Sequence, residues 1–247
     1  MNDIDSALIR QVDLLCLDAG NTVIFLEHAR LAASCARHGF ATSAETLMRA
    51  EGHAKVAIEC GDGVDVAWSR AHVPGGRGWG HVVGTMLRRA GLPLARVPEL
   101  LDALWPAHRE RNFWSVVPAG LREALARARK RGVRVAVVSN SEGFLEEILE
   151  DSGIVDSFDL VVDSGVVGVE KPDPAIFRFA LEQTGVGAAH ALHLGDTYAT
   201  DVLGARAAGI RVALIDPYGH LAGRHADVPR VPGAPEVAEA IASARNA

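Results

Sequence analysis

The stretch "LLCLDAGNTVIF", residues 14–25, decides how the rest of the chain is read. Four apolar residues run into Asp18, and the chain then passes through Gly20 and Asn21 before apolar residues resume. A continuous apolar run of this kind fits a strand covered on both faces, as in a parallel sheet. Ending it on a carboxylate beside a glycine turn puts that acid where open α/β sheets bind ligands, outside the carboxyl ends of the strands.

Four further runs have the same character: "VRVAVVSN" (133–140), "FDLVVDS" (158–164), "HALHLGD" (190–196) and "IRVALID" (210–216). Between or after them lie segments with helical spacing, each closing on glycine: "PAGLREALARARKRG" (118–132), "EGFLEEILEDSG" (142–153), "DPAIFRFALEQTG" (173–185) and "YATDVLGARAAG" (198–209). The alternation predicts an α/β fold, a three-layer Rossmann-like parallel sheet with right-handed crossovers. Residues 26–116 break the pattern with helical periodicity and no convincing strand. We therefore expect a core from residues 1–25 and 117–247 and an inserted helical domain over 26–116. Within the insertion, "PGGRGWG" (74–80) reads as a mobile loop or hinge; it neither follows a strand nor opens a βαβ unit, so it is no dinucleotide fingerprint.

Composition narrows the partners. A formal charge of −6 with no Lys/Arg-rich run argues against nucleic acid, whose backbone requires a basic stripe. Cys16, Cys35 and Cys60 are odd in number and lack CxxC spacing, so reduced thiols are expected instead of a disulfide or zinc framework. The N-terminus "MNDIDSALIRQ" lacks the charged-then-apolar pattern of a signal peptide, and no apolar run reaches the roughly 18 residues of a membrane span. A cytoplasmic protein with a small-molecule substrate is the expectation.

The strand ends supply candidate chemistry. A carboxylate at a strand tip, Asp18, suits nucleophilic attack on phosphorus or binding of a hard cation, although turn formation is the commoner role of a lone Asp. Ser139 and Asn140 offer a hydroxyl and an amide for phosphoryl oxygens; Asn140 or Ser141 can equally cap a following helix over 142–151. Lys171, framed by Pro172 and Pro174, is a point charge able to neutralise both a carboxylate and a transferring phosphoryl group. Asp196 and Asp201 beside Asp18 repel one another unless a cation lies between them, and Mg²⁺ takes this ligand type.

Together "DAGNT" (18–22), "VVSNS" (137–141), "EKPDP" (170–174) and "GDTYATD" (195–201), in that order, make the chain resemble the haloacid dehalogenase (HAD) superfamily, in its phosphatase-like branch with a C1 helical cap. The resemblance implies Asp18 as nucleophile and Mg²⁺ ligand, Ser139 as phosphoryl binder and Lys171 as charge screen. It also implies Asp196 and Asp201 in the metal site, with Gly20 as a ligand through its carbonyl. Thr22 braces the loop, and Thr22 and Asn140 are the remaining substrate-side candidates. The implied substrate is a small anionic phosphorylated metabolite, selected by the cap.

One position departs from the pattern. Family phosphatases carry a second Asp two residues after the nucleophile as general acid and base, and here that residue is Gly20. Its loss removes help worth typically about 10²–10⁴-fold. Three readings follow: a phosphatase with its acid supplied elsewhere, for example by His28, or using a good leaving group such as an acyl phosphate; a phosphonate- or halide-cleaving relative, for which Lys55 is the sole cap lysine able to form a Schiff base; or a binding or regulatory protein of low turnover. Trp68, His72, Trp79 and His81 of the insertion carry no recognisable substrate code.

Overall fold

The computed structural model describes residues 4–245 except residue 74. Its strands are β1 (Leu14–Leu17), β2 (Phe25–Leu26), β3 (Trp114–Val116), β4 (Arg134–Ser139), β5 (Leu160–Asp163), β6 (Ala191–Gly195), β7 (Arg211–Ile215) and β8 (Arg230–Val231). Six of them form one parallel sheet in the order β5-β4-β1-β6-β7-β8, and β2 pairs with β3 separately. The five expected apolar runs all become strands of this sheet. The short strands β2, β3 and β8 have too few residues to show a period in the sequence.

The chain packs as two compact units. One comprises the chain up to Phe25, Val116–Pro217 and the chain from Gly223 on; the other comprises Leu26–Ser115 and Tyr218–Ala222.

In the sheet unit every residue of β1 is fully buried, as a central parallel strand requires. Leu17 sits in register with Val137 of β4 on one side and Leu194 of β6 on the other. From β1 the sheet grows through β4 and β5 in one direction and through β6 and β7 in the other, so β1 flanks the reversal in strand order. Helices Leu121–Lys130 and Ala234–Ala244 pack on each other, and Pro174–Thr184 packs on β4 and β5.

The expected helix at 142–151 starts later, at Leu145, and neither Asn140 nor Ser141 caps it. Asp163, at the end of the neighbouring strand β5, holds the start of the helix instead. Its Oδ2 accepts from Leu145 N–H at 2.9 Å, and its Oδ1 accepts from Gly143 and Gly165 N–H. Gly165 is what admits the two loops: a Cβ there would lie 2.6 Å from the Gly143 nitrogen.

The helical unit contains His28–Arg37, Ala44–Glu59, Gly76–Arg89 and Val97–Glu110 around a buried cluster that includes Leu31, Leu47, Trp68, Trp79, Met86, Leu101, Trp105 and Phe113. The expected loop at "PGGRGWG" is corrected here, because Gly76–Gly80 is the first part of a helix. Its glycines answer to close approaches. A Cβ on Gly76 would stand 2.2 Å from the Arg70 carbonyl oxygen, and one on Gly80 would stand 2.4 Å from the Trp68 indole nitrogen. Trp68, Trp79 and Trp105 pack with ring centroids 5.2–5.5 Å apart, so the tryptophans belong to this unit's core.

Among the described residues, no helix is long and apolar enough to cross a membrane.

Candidate active site

The sheet brings the strand-end residues together. Asp18 follows β1, its N–H donating to the Leu194 carbonyl at 2.8 Å, which fixes it beside the end of β6. Ser139 is the last residue of β4, Asp196 follows β6 directly, Asp201 lies in a π-helical turn at Tyr198–Val202, and Lys171 precedes helix Pro174–Thr184. All five are buried. Residues from four separate segments thus meet at one place in the sheet unit.

Lys171 is the hub. Its Nζ donates to Asp18 Oδ1 at 2.5 Å and to Asp201 Oδ1 at 2.7 Å, while Ser139 Oγ donates to the same Asp18 oxygen at 3.3 Å. Lys171 is in turn held through its backbone: its N–H donates to Asn140 Oδ1 at 2.7 Å, and its carbonyl accepts from Asn140 Nδ2 at 2.9 Å. The Asn140 side chain, a substrate-side candidate in the sequence, is thus committed to clamping the lysine segment.

Asp201 is enclosed by donors. Besides Lys171, Oδ1 receives His193 Nε2 at 3.0 Å, and Oδ2 accepts from Thr197 N–H at 3.0 Å. Of about four lone-pair positions on the carboxylate, three are engaged. Gly195 makes room for it, since a Cβ there would lie 2.2 Å from the Asp201 carboxyl carbon. Asp196 accepts from Thr197 Oγ1 at 3.2 Å and from Asn21 Nδ2 at 3.3 Å.

Asn21 has φ +55°, a conformation that Asn tolerates better than most residues, and its N–H closes the turn onto the Ile24 carbonyl at 2.7 Å. Thr22 is buried with its N–H on the Ala19 carbonyl, and its hydroxyl has no hydrogen-bond partner among the described residues. Gly20 bridges to Ile24 in the same turn. His193, Asn21 and Thr197 join the site without having stood out in the sequence. A histidine facing into a strand end two residues before Gly-Asp, and an Asn in the turn after the strand Asp, were the available signals.

Charge decides what the pocket accepts. The Asp18 carboxyl is raised to about 7: burial pushes it up most, Lys171 opposes this, and the Asp201 and Asp196 carboxylates add to the rise. Burial also disfavours the charged Lys171, yet Asp18 and Asp201 outweigh this and raise it above the ordinary lysine range. For Asp201 burial is likewise opposed, by Lys171 and by the His193 hydrogen bond, and its carboxyl ends well below the usual range. Three carboxylates and one ammonium carry a formal −2.

Oxygens of Asp18, Asp196 and Asp201 all lie within 4.8 Å of one another. Hard oxygen donors carrying this excess charge fit a small divalent cation such as Mg²⁺, which is bound through one or two carboxylates plus waters and phosphate oxygens. Asp201, with three of its lone pairs engaged, offers less to a cation than Asp18 and Asp196.

Two residues considered from the insertion are engaged within the helical unit. His28 Nε2 lies 2.7 Å from Glu51 Oε2, and Lys55 Nζ lies 4.0 Å from Glu51 Oε1 and 5.8 Å from the centre of the Tyr218 ring.

The sequence model of the haloacid dehalogenase-like hydrolases matches residues 13–209. A bovine haloacid dehalogenase-like hydrolase domain-containing protein 3 is 32% identical over 210 residues, 83% of this chain and 82% of that protein. A phosphoserine phosphatase of Thermus thermophilus is 37% identical over 163 residues, 62% of this chain and 64% of that one. With several other curated relatives the match spans only about half the relative's length. Among solved structures, the candidate HAD-hydrolase YfnB of Bacillus subtilis, bound to magnesium, superposes with a TM-score of 0.65 at 18% identity, covering 93% of this chain and 98% of that one. At that identity the likeness concerns the fold.

Proposed function

The chain belongs to the haloacid dehalogenase-like hydrolases, and from that membership we propose that it is a Mg²⁺-dependent phosphatase acting on a small anionic phosphorylated metabolite. The observation that carries this reading is the arrangement around Asp18: one oxygen held by Lys171 and Ser139, with two more acids close by. The phosphoserine phosphatase relative supports phosphoryl cleavage as the chemistry.

In this reading Asp18 attacks phosphorus, the bond from phosphorus to the leaving oxygen breaks, and a water later cleaves the aspartyl-phosphate to return Asp18 and release inorganic phosphate. Lys171 and Ser139, both on Oδ1, fix the rotation of the nucleophilic carboxylate. They also meet the charge that spreads over the phosphoryl oxygens. Asp18 and Asp196, with Asp201 behind them and the Gly20 carbonyl as a further candidate, would hold Mg²⁺, which supplies positive charge for bringing two anions together. The helical unit is proposed as the cap that selects substrate and excludes water.

Gly20 shapes the substrate class. With no carboxylate there to protonate the leaving oxygen, compounds with good leaving groups, such as acyl phosphates, are favoured over alkyl esters. The same residue favours a second reading, a phosphonate- or halide-cleaving relative or a low-turnover binding protein. The phosphonate route needs Lys55 as a free amine, whereas Lys55 sits beside the buried Glu51.

The test is a screen of phosphate esters, acyl phosphates and phosphonates with Mg²⁺ and with EDTA, alongside Asp18→Asn. Metal-dependent phosphate release that vanishes in the variant is the expected result. Release unchanged by Asp18→Asn, or no release from any compound, defeats the proposal.

A further inference from the structure

Beside Asp201, on the same carboxylate oxygen as Lys171, lies a side chain that the proposed chemistry does not use. His193 sits in β6 with no exposed surface, its ring edge-on to Phe177 with centroids 4.9 Å apart. In register it pairs with Cys16 of β1 on one side and Val212 of β7 on the other, so it is embedded in the middle of the sheet. A histidine at such a position gives up hydration for a charged partner, Asp201 Oδ1 at 3.0 Å.

Burial favours the neutral imidazole. Asp201 is an acceptor, so the proton lies on Nε2 and is donated to the carboxylate. A leucine or valine would fill a strand interior at less cost, and the polar group therefore calls for a purpose beyond packing.

We propose that His193 is a positioning residue, which by fixing the Asp201 carboxylate holds the Lys171 ammonium against Asp18. The path is continuous: His193 Nε2 to Asp201 Oδ1, that oxygen to Lys171 Nζ, and Nζ to Asp18 Oδ1. Each carboxylate oxygen along it is shared, so the position of one donor constrains the next. Thr197 N–H holds the opposite oxygen of Asp201, and two donors on different oxygens determine the carboxylate plane.

Remove the imidazole and Asp201 Oδ1 is left with Lys171 as its one donor, so that oxygen follows the ammonium and no longer fixes it. Lys171 then pairs with Asp18 less regularly, at the moment when the nucleophile must be fixed. Outer-shell partners of this type typically cost about 10–100-fold in activity when removed. His193 touches neither substrate nor nucleophile, so the loss should fall on turnover and spare substrate affinity.

The inference rests on the phosphatase reading for its kinetic readout, and a second readout is independent of it. His193→Phe keeps an aromatic ring without a donor. His193→Gln places an amide N–H near the position of Nε2, and His193→Asn is polar but too short to reach. For each variant one measures kcat and KM on the best substrate of the screen, the melting temperature, and the exchange of the Lys171 ammonium protons with water by ¹⁵N NMR, that signal being assigned by its loss in Lys171→Met.

The expected result is a kcat about 10–100-fold lower in the Phe and Asn variants with KM changed little, and recovery of most of the turnover in Gln. Faster ammonium exchange is expected in Phe and Asn but not in Gln. Equal losses in Gln and Asn, or wild-type turnover and exchange in Phe, overturn the proposal. If Phe fails to fold, the contrast between Gln and Asn decides alone. If the wild-type chain hydrolyses nothing, the phosphatase reading falls while ammonium exchange still tests His193: the same ranking supports the positioning role, and equal exchange in all variants ends it.

Discussion

The Lys171 ammonium lies 2.5 Å from the Asp18 carboxylate, although 153 residues separate the two in the chain. Both are buried, and the same ammonium also serves Asp201 at 2.7 Å. Breaking a buried pair from one side is expensive because it strands the other charge, typically by about 3–5 kcal/mol.

Lys171→Met should therefore lower stability by roughly that amount, and Asp201→Asn in the same chain should recover part of it by removing one of the stranded acids. A urea-denaturation double-mutant cycle measures the coupling. Strictly additive effects of the two substitutions would show that the residues do not interact.

Gly195 faces the Asp201 carboxyl carbon so closely that a Cβ would stand 2.2 Å away. Gly195→Ala should displace Asp201 from Lys171 and His193 and reduce phosphate release at least 10-fold, in the range of outer-shell losses. It should also raise the Mg²⁺ concentration needed for half-maximal activity. Titration of activity against Mg²⁺ checks both, and a wild-type response would mean that the turn absorbs the methyl group.

Gly20→Asp restores a carboxyl where a general acid would stand. Hydrolysis of alkyl phosphates should rise towards the about 10²–10⁴-fold that such help provides, with little change for acyl phosphates, whose leaving groups need no proton. Rates across a series of leaving groups of graded pKa should then depend less steeply on leaving-group pKa in the variant than in the wild type.

His108 of the helical unit offers a pH test. Burial lowers His108 from 6.5 to about 3, with Arg109 and Arg30 acting in the same direction. Its Nδ1 accepts from the Phe113 N–H at 3.4 Å, consistent with a neutral ring. Below pH 6.5 the unfolded chain binds a proton here that the folded chain refuses, so the stabilisation is complete above 6.5 and is lost as pH falls towards 3. At about 1.4 kcal/mol per unit, the loss reaches about 3 kcal/mol by pH 4. Asp18, raised in the folded state, acts in the opposite sense, so the comparison is made against His108→Gln, which shares Asp18. The wild-type advantage over the variant should shrink by that amount between pH 7 and pH 4 in urea titrations.

Two glycines of one helix should respond oppositely. Gly78 is exposed with nothing near its Cβ position, so Gly78→Ala should stabilise by about 0.5–1 kcal/mol. Gly80→Ala should destabilise, because its methyl would meet the Trp68 indole nitrogen at 2.4 Å. Thermal melts of the two variants give the signs directly. Equal, small effects would indicate a loose loop in place of the helix.

Local sequence was enough for the parallel sheet. Buried strands such as Val135–Val138 are apolar on both faces, and helices such as Pro174–Thr184 open on proline and close on glycine; these signals lie within a dozen residues. Asp18, Ser139 and Asp196 as strand-end groups, with Lys171 and Asp201 in the segments that follow, were legible for the same reason. What each does to the others was not. Asn140 reads locally as a cap or a ligand for anions, yet it clamps the backbone of Lys171; His193 reads as a strand residue, yet it supports Asp201. "PGGRGWG" reads as a loop because glycine lowers helix propensity, whereas packing against Arg70 and Trp68 makes small residues necessary in a helix. Hydrophobic period and end signals are properties of neighbouring residues, so the sequence determined them by itself. Hydrogen bonds, charge balance and close contacts join residues as far apart as Asp18 and Lys171, and only the folded sheet decided those.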